Sequence, residues 1–104
     1  MAMSNQGPDR DLASIQEARA LASRAKAASS KIVEFSQERI DRIVGEMAAA
    51  ARVEAGPLAR LAVKETGYGI VADKIQKNLF AAEQIYQFIR PMKTVGVIRR
   101  LDDR

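Results

Sequence analysis

Apolar residues recur every three or four positions along most of the chain, which is the spacing of an amphipathic α-helix. This spacing first runs from Asp11 to about residue 30, where Asp11 can cap the first turn and alanines form a small apolar face. A second predicted helix follows Ser36, a residue type that favours helix N-termini, and it carries the clearest apolar stripe. The stripe consists of Ile40, Ile43, Val44, Met47, Ala48 and Ala51.

The second half of the chain predicts two further helices. Pro57 suits the first turn of a third helix, in which Leu58, Leu61 and Ala62 are expected to face inward. A fourth helix is predicted over residues 71–89, where the apolar spacing resumes. We therefore expect about four helices in all.

Residues 94–98, Thr-Val-Gly-Val-Ile, predict a short β-strand. No other segment has this pattern, and a lone strand leaves its amides and carbonyls without ladder partners. The expected fold class is mostly α, with about four helices and one terminal β-strand, at the start of a fold whose sheet lies further along. We divide the chain into a flexible leader over residues 1–10 and one incomplete helical domain over residues 11–104.

The composition predicts a thin core. At 104 residues the chain is long enough for one small domain, and 47% of it is apolar. Much of that apolar content is alanine, which buries little area, and the aromatic residues are limited to three Phe and two Tyr. A free-standing domain of this size usually has more bulk inside.

The sequence contains no cysteine and no histidine, which excludes several kinds of chemistry. This chain supplies no disulfide, thiolate nucleophile, imidazole base or set of usual zinc ligands. Its net charge of +4 comes from 17 basic and 13 acidic residues dispersed along the predicted helices, which indicates a solvated surface. No apolar segment has the length that a membrane span needs. We therefore expect a cytoplasmic protein with no metal site and no nucleic-acid or membrane partner.

The one glycine-rich spot is Gly67-Tyr68-Gly69, and we interpret it as a helix stop followed by a turn. A phosphate-binding loop would need a preceding strand, whereas Gly67 follows a predicted helix. Glu65 and Asp73 are the nearest carboxylates and could in principle serve as an acid–base pair. Solvated side chains are the favoured interpretation of both.

Asn78 is the most informative polar residue, because it lies on or beside the apolar face of the fourth predicted helix. Asparagine is unfavourable inside a helix and needs hydrogen-bond partners when it is buried. The favoured interpretation is a structural amide that ties the helix to a neighbouring loop. The alternative is a polar group at the wall of a channel or cleft.

Several segments together resemble the N-terminal region of the CoA-acylating aldehyde dehydrogenases. The most specific are the Glu-Thr-Gly run that begins at Glu65 and the Lys-Asn-Leu-Phe run that begins at Lys77. The segments that carry the resemblance are residues 14–19, 35–41, 65–74, 77–83 and 92–98. They extend over nearly the whole chain.

The resemblance implies an activity for a parent enzyme. Members of this family oxidise an aldehyde with NAD or NADP through a cysteine thiohemiacetal and a thioester, and CoA then takes the acyl group. The family's catalytic cysteine and nucleotide-binding strands come after the region matched here. This chain is therefore expected to hold no catalytic position and to bind no cofactor. Residues 11–104 would be the N-terminal helical part of the cofactor-binding domain in the α/β aldehyde dehydrogenase fold.

The resemblance also implies a role for the fourth helix and a partner for the chain. In that fold the helix after Glu-Thr-Gly runs near the substrate entrance, which makes Asn78 a candidate for the entrance wall. The expected partner is the rest of the dehydrogenase polypeptide, in a parent that is a homo-oligomer. The chain alone is then an inactive fragment of an oxidoreductase that converts a short aldehyde and CoA to acyl-CoA. The alternative is a stand-alone helical module for self-association or protein interaction.

Overall fold

The computed structural model of this chain describes residues 8–102, and every regular element in that range is helical. The elements are α1 (Pro8–Ile32), α2 (Gln37–Val53), α3 (Ala55–Thr66), α4 (Val71–Leu79), a π-helical segment (Phe80–Ile85) and α5 (Tyr86–Ile89). The chain divides into two compact units between Phe35 and Ser36, so α1 belongs to the first unit and the other helices to the second. The helical prediction is confirmed, with the last three elements forming one run.

Helix α1 begins at Pro8, before the predicted start at Asp11. Proline suits a first turn because it has no N–H to leave unsatisfied, and Asp9 and Asp11 place negative charge at the positive end of the helix dipole. Residues 8–10 of the predicted leader are therefore helical, and residues 1–7 lie outside the described part of the chain. Every described side chain of α1 is exposed.

Ser36 caps α2, as the sequence predicts. Its hydroxyl oxygen accepts a hydrogen bond from the backbone N–H of Arg39 at 3.1 Å, while the Ser36 backbone is extended. At the other end of α2, Glu54 is the single residue that separates this helix from α3. Pro57 then falls within the first turn of α3, where a missing N–H costs nothing.

Gly67 ends α3, which confirms the predicted helix stop. Its φ is 73°, in the left-handed region, and its N–H donates to the carbonyl of Val63 at 2.8 Å. A side chain would disfavour this backbone conformation, so glycine is the residue best suited to the position.

The fourth predicted helix is helical over the expected range but is not a regular α-helix throughout. Between α4 and α5, the six residues Phe80–Ile85 form π-helical turns, in which N–H groups bond to carbonyls five residues earlier. The N–H of Tyr86, for example, donates to the carbonyl of Ala81. The wider turn is the main local difference between the predicted and the observed helix.

The predicted β-strand over residues 94–98 is wrong, and the described residues contain no strand. Gly96 has a φ of 76°, which breaks the extended backbone in the middle of the segment. The N–H groups of Thr94 and Val95 bond instead to the side chain of Gln37, so a side-chain amide takes the place of a neighbouring strand. The β-branched residues of this segment favour a β-strand, but no described segment lies beside it as the second strand that a β-ladder needs.

The core is small, as the composition predicts. The buried apolar residues of the described chain are all alanines: Ala55, Ala59 and Ala82. The expectation that Leu58 and Leu61 face inward is wrong, since they are 50% and 47% exposed. Helix α3 buries its alanine face and leaves its larger side chains half outside. Among the described helices, none combines the length and apolarity needed to cross a bilayer.

Candidate functional site

The second unit carries an open apolar groove with a volume of about 360 Å³. Its walls come from α2, from α3 and from the helical run that contains α4, the π-helical segment and α5. The lining residues are Val44, Met47, Ala48, Ala51, Leu58, Asn78, Ala81, Ala82, Tyr86 and Ile89. None of them is charged, and Asn78 and Tyr86 are the two that carry polar groups.

A second hollow of about 240 Å³ adjoins the groove. It shares Val44, Tyr86 and Ile89 with the groove and extends toward Met92 and Thr94. The two hollows therefore form one continuous indentation along the α2 side of the helical run. The groove has no charged lining residue and accommodates apolar groups better than charged ones, whereas the second hollow is also lined by Asp41 and Arg90.

Asn78 ties α4 to the start of α3. Its Nδ2 donates to the carbonyl oxygen of Ala55 at 3.1 Å, and Ala55 is only 2% exposed. A hydrogen-bonded structural amide is what the favoured interpretation of Asn78 predicts, but its partner lies in the first turn of α3 and not in a loop. The same side chain also lines the groove. Its role at a substrate entrance stays a prediction.

Gly45 lets Tyr86 approach α2 closely. A Cβ atom at Gly45 would lie 3.0 Å from the hydroxyl oxygen of Tyr86, which is tighter than nearly all real contacts of that kind. A glycine inside a helix costs about 1 kcal/mol relative to alanine, so its presence in α2 is itself a sign that a close approach occurs. The predictions from the sequence made no use of Gly45.

Gln37 holds the segment that follows α5, and the sequence interpretation missed it. Its Oε1 accepts hydrogen bonds from the N–H groups of Thr94 at 2.7 Å and Val95 at 3.0 Å. Its Nε2 donates to Oδ1 of Asp41 at 2.8 Å and to Oγ1 of Thr94 at 3.0 Å. The two lone pairs and two N–H groups of the amide are all used.

The hydroxyl group of Thr66 closes the turn after α3. Thr66 donates its hydroxyl hydrogen to the carbonyl of Ala62 at 2.7 Å and accepts from the N–H of Tyr68 at 3.1 Å. A Cβ at Gly69 would overlap the side chain of Lys74, so that side chain already fills the space over the turn. The helix-stop interpretation of this spot is the one that the geometry supports.

Glu65 and Asp73 flank this turn, and both side chains are exposed. Their environment therefore supports the favoured interpretation of solvated side chains over that of an acid–base pair.

Comparison with known proteins identifies the relatives of this chain. The chain is 43% identical to the bifunctional aldehyde-alcohol dehydrogenase AdhE of Escherichia coli K12 over 88 residues, which cover 85% of this chain and 10% of that protein. The crystal structure of an acetylating aldehyde dehydrogenase from Geobacillus thermoglucosidasius matches with a TM-score of 0.74 and 53% identity, over 92% of this chain and 21% of that chain. The chain is homologous to the N-terminal region of the acetylating aldehyde dehydrogenases.

Other acetylating relatives extend the homology. The succinate-semialdehyde dehydrogenase (acetylating) of Clostridium kluyveri is 33% identical over 84 residues, which are 81% of this chain and 18% of that protein. No family model matches the chain. The chain thus spans about a tenth to a fifth of the length of these three relatives. The resemblance inferred from the Glu-Thr-Gly and Lys-Asn-Leu-Phe runs is confirmed.

Proposed function

We propose that this chain forms the N-terminal helical part of the cofactor-binding domain of an acylating aldehyde dehydrogenase. The parent enzyme is a cytoplasmic homo-oligomer that uses NAD or NADP and CoA to convert a short aldehyde to acyl-CoA. The observation that carries the proposal is the match to the Geobacillus thermoglucosidasius enzyme, which is 53% identical over 92% of this chain. Identity at that level over a shared helical arrangement supports a shared role within the larger protein.

The role of these residues within the parent enzyme is to cover and position other parts, not to react. The sequence supplies no cysteine for a thioester, and the resemblance to the family implies that the nucleotide-binding strands follow this region. The nucleophile and the cofactor site would therefore come from the remainder of the polypeptide. The purified 104-residue chain is expected to produce no NADH from acetaldehyde, NAD and CoA.

A chimeric enzyme tests the proposal directly. The matched region of the Geobacillus thermoglucosidasius enzyme is replaced by the corresponding residues of this chain, and CoA-dependent NADH formation is followed by absorbance. An active chimera supports the proposed role, because the foreign helices must then pack well enough to maintain the active site. A soluble, folded chimera without activity would contradict it.

Asn78 has a proposed role at the wall of the substrate entrance. The support is its position on the helix that follows Glu-Thr-Gly and its place in the lining of the groove. If the role is correct, Asn78→Leu in the chimera raises the KM for the aldehyde while the KM for NAD is unchanged. An equal change in both constants would indicate a purely structural role.

A second candidate function is a stand-alone module for self-association. The observation in its favour is α1, which exposes all of its described side chains, including Leu12 at 64% and Leu21 at 56%. Light scattering and thermal unfolding of the isolated chain separate the two candidates. A defined oligomer supports the module, whereas a folded monomer with dye-accessible apolar surface supports a part of a larger domain.

A further inference from the structure

The segment that follows α5 is attached to the first turn of α2 by hydrogen bonds from its backbone. The N–H groups of Thr94 and Val95 donate to Oε1 of Gln37 at 2.7 Å and 3.0 Å. Just beyond this contact the side chains of Val97 and Ile98 are 71% and 62% exposed, so they add little packing against the helices. Gln37 therefore fixes where this segment lies relative to α2.

Asp41 determines which end of the Gln37 amide faces the segment. It lies one turn further along α2, and its Oδ1 accepts a hydrogen bond from Nε2 of Gln37 at 2.8 Å. An ionised carboxylate can only accept hydrogen bonds, so the N–H end of the amide faces Asp41 and the oxygen end faces the backbone N–H groups. Ser36 caps the same turn of α2, which orders the backbone that carries Gln37. Asp41 thus orients Gln37, and Gln37 holds the segment.

We propose that Gln37, oriented by Asp41, is a positioning residue of the parent dehydrogenase, where it fixes the point at which the chain passes from the helices toward the nucleotide-binding strands. This inference rests on the proposed function, because the family resemblance implies that those strands follow this region. A released segment lets the strands behind it take more than one position. A binding site that is competent in only a fraction of the molecules has an affinity reduced by that fraction. Loss of the anchor therefore weakens NAD binding, and saturating NAD restores the competent position.

Four substitutions in the chimeric enzyme test this role. Gln37→Leu removes both the oxygen that holds the segment and the N–H groups that meet Asp41. Asp41→Leu removes only the group that orients the amide, whereas Asp41→Asn keeps an oxygen that can accept from Nε2 of Gln37. Gln76→Leu makes the same chemical change as Gln37→Leu at an exposed position of α4 and is the matched control.

The expected result is a change in NAD affinity without a change in turnover. In Gln37→Leu the KM for NAD rises about threefold or more while kcat is unchanged, and in Asp41→Leu it rises by a smaller factor. Asp41→Asn and Gln76→Leu keep the KM for NAD of the unaltered chimera, and the KM for acetaldehyde is the same in all four variants. Calorimetric titration with NAD gives a Kd changed by the same factor as the KM. Hydrogen exchange followed by mass spectrometry accelerates in the Gln37→Leu peptide that contains Thr94 and Val95.

Failure of the positioning role and failure of the proposed function give different results. An active chimera in which Gln37→Leu leaves the KM for NAD unchanged would overturn the positioning role alone. Equal increases in the KM for NAD and for acetaldehyde, or an Asp41→Asn variant no better than Asp41→Leu, would also overturn it, because either result marks a general loss of structure. A folded chimera that is inactive before any substitution contradicts the proposed function, and NAD titration of that chimera still tests the anchor. Should the chimera be insoluble, the residues aligned with Gln37 and Asp41 in the Geobacillus thermoglucosidasius enzyme are replaced and compared in the same way.

Discussion

Replacing Gln37 by leucine should release the segment after α5 without unfolding the helices. The change removes the oxygen that accepts hydrogen bonds from the N–H groups of Thr94 and Val95. It also removes the N–H groups that bond to Asp41 and to the Thr94 hydroxyl. The helices make no use of the Gln37 side chain for their own backbone bonds, so their stability should change little.

The expected magnitude follows from the two backbone hydrogen bonds. Each contributes about 0.5–1.5 kcal/mol net, so the pair contributes about 2 kcal/mol to holding the segment in place. Since about 1.4 kcal/mol corresponds to a factor of ten in an equilibrium constant, local opening should become roughly 30-fold more frequent. That factor applies to the N–H groups of Thr94 and Val95 and not to those within α2.

Amide hydrogen exchange measured by NMR on the isolated chain is the appropriate assay. The exchange of the Thr94 and Val95 amides should accelerate in Gln37→Leu, while amides of α3 keep their rates. Gln76→Leu, a change of the same type at an exposed position on α4, serves as the control and should leave all of these rates unchanged. Unchanged exchange at Thr94 and Val95 in Gln37→Leu would refute the assignment of Gln37 as their anchor.

Replacing the Gln37 amide by a carboxylate tests the oxygen acceptor and the N–H donor of this side chain separately. Gln37→Glu keeps an acceptor for the two backbone N–H groups but places a carboxylate at the position of an N–H that lies 2.8 Å from Asp41. Repulsion between the two carboxylates should weaken the anchor, and adding Asp41→Asn should restore part of it. Additive effects of the two changes would contradict a direct contact between these residues.

Three further changes test other contacts. Ser36→Ala removes the acceptor for the N–H of Arg39 and should cost about 1 kcal/mol in urea unfolding, whereas Ser36→Asp, which keeps an acceptor, should not. Gly45→Val should cost about 1–3 kcal/mol because its side chain meets the Tyr86 hydroxyl, and Tyr86→Phe in the same chain should recover part of that loss in thermal melts. Asn78→Leu leaves the buried Ala55 carbonyl without its side-chain donor and should cost about 1–2 kcal/mol by the same unfolding assay; an unchanged midpoint would show that this bond adds no stability.

Features set by local chemistry could be predicted from the sequence. Ser36 at the start of α2 and Gly67 at the end of α3 each act within one helical turn of their own position, through a side-chain oxygen and a left-handed φ. Asn78 could be selected as a candidate for a related reason, since a polar residue on an apolar helix face must find a partner nearby. Its partner, Ala55, lies in the adjoining helix and was not predictable in detail.

Features that depend on distant residues could not be predicted. Residues 94–98 have the composition of a strand, but their conformation depends on Gln37, which lies 57 positions before Thr94. Local propensity carries no information about such a partner, and it favoured a ladder that does not form. The groove is a similar case, because the amphipathic spacing of α2 indicates an apolar face without indicating whether this chain or another covers it.

The π-helical segment has a consequence for how related sequences can differ in length. A turn closed by bonds over five residues accommodates one residue more than an α-helical turn, so residues 80–85 act as a built-in single-residue insertion. Removing one residue there would convert the segment to an α-helix and leave α5 in its place, with Tyr86 still beside Gly45. Removing one residue from α4 would instead rotate everything after it by roughly 100°. In an alignment of relatives, single-residue gaps within this helical run should therefore concentrate between positions 80 and 85.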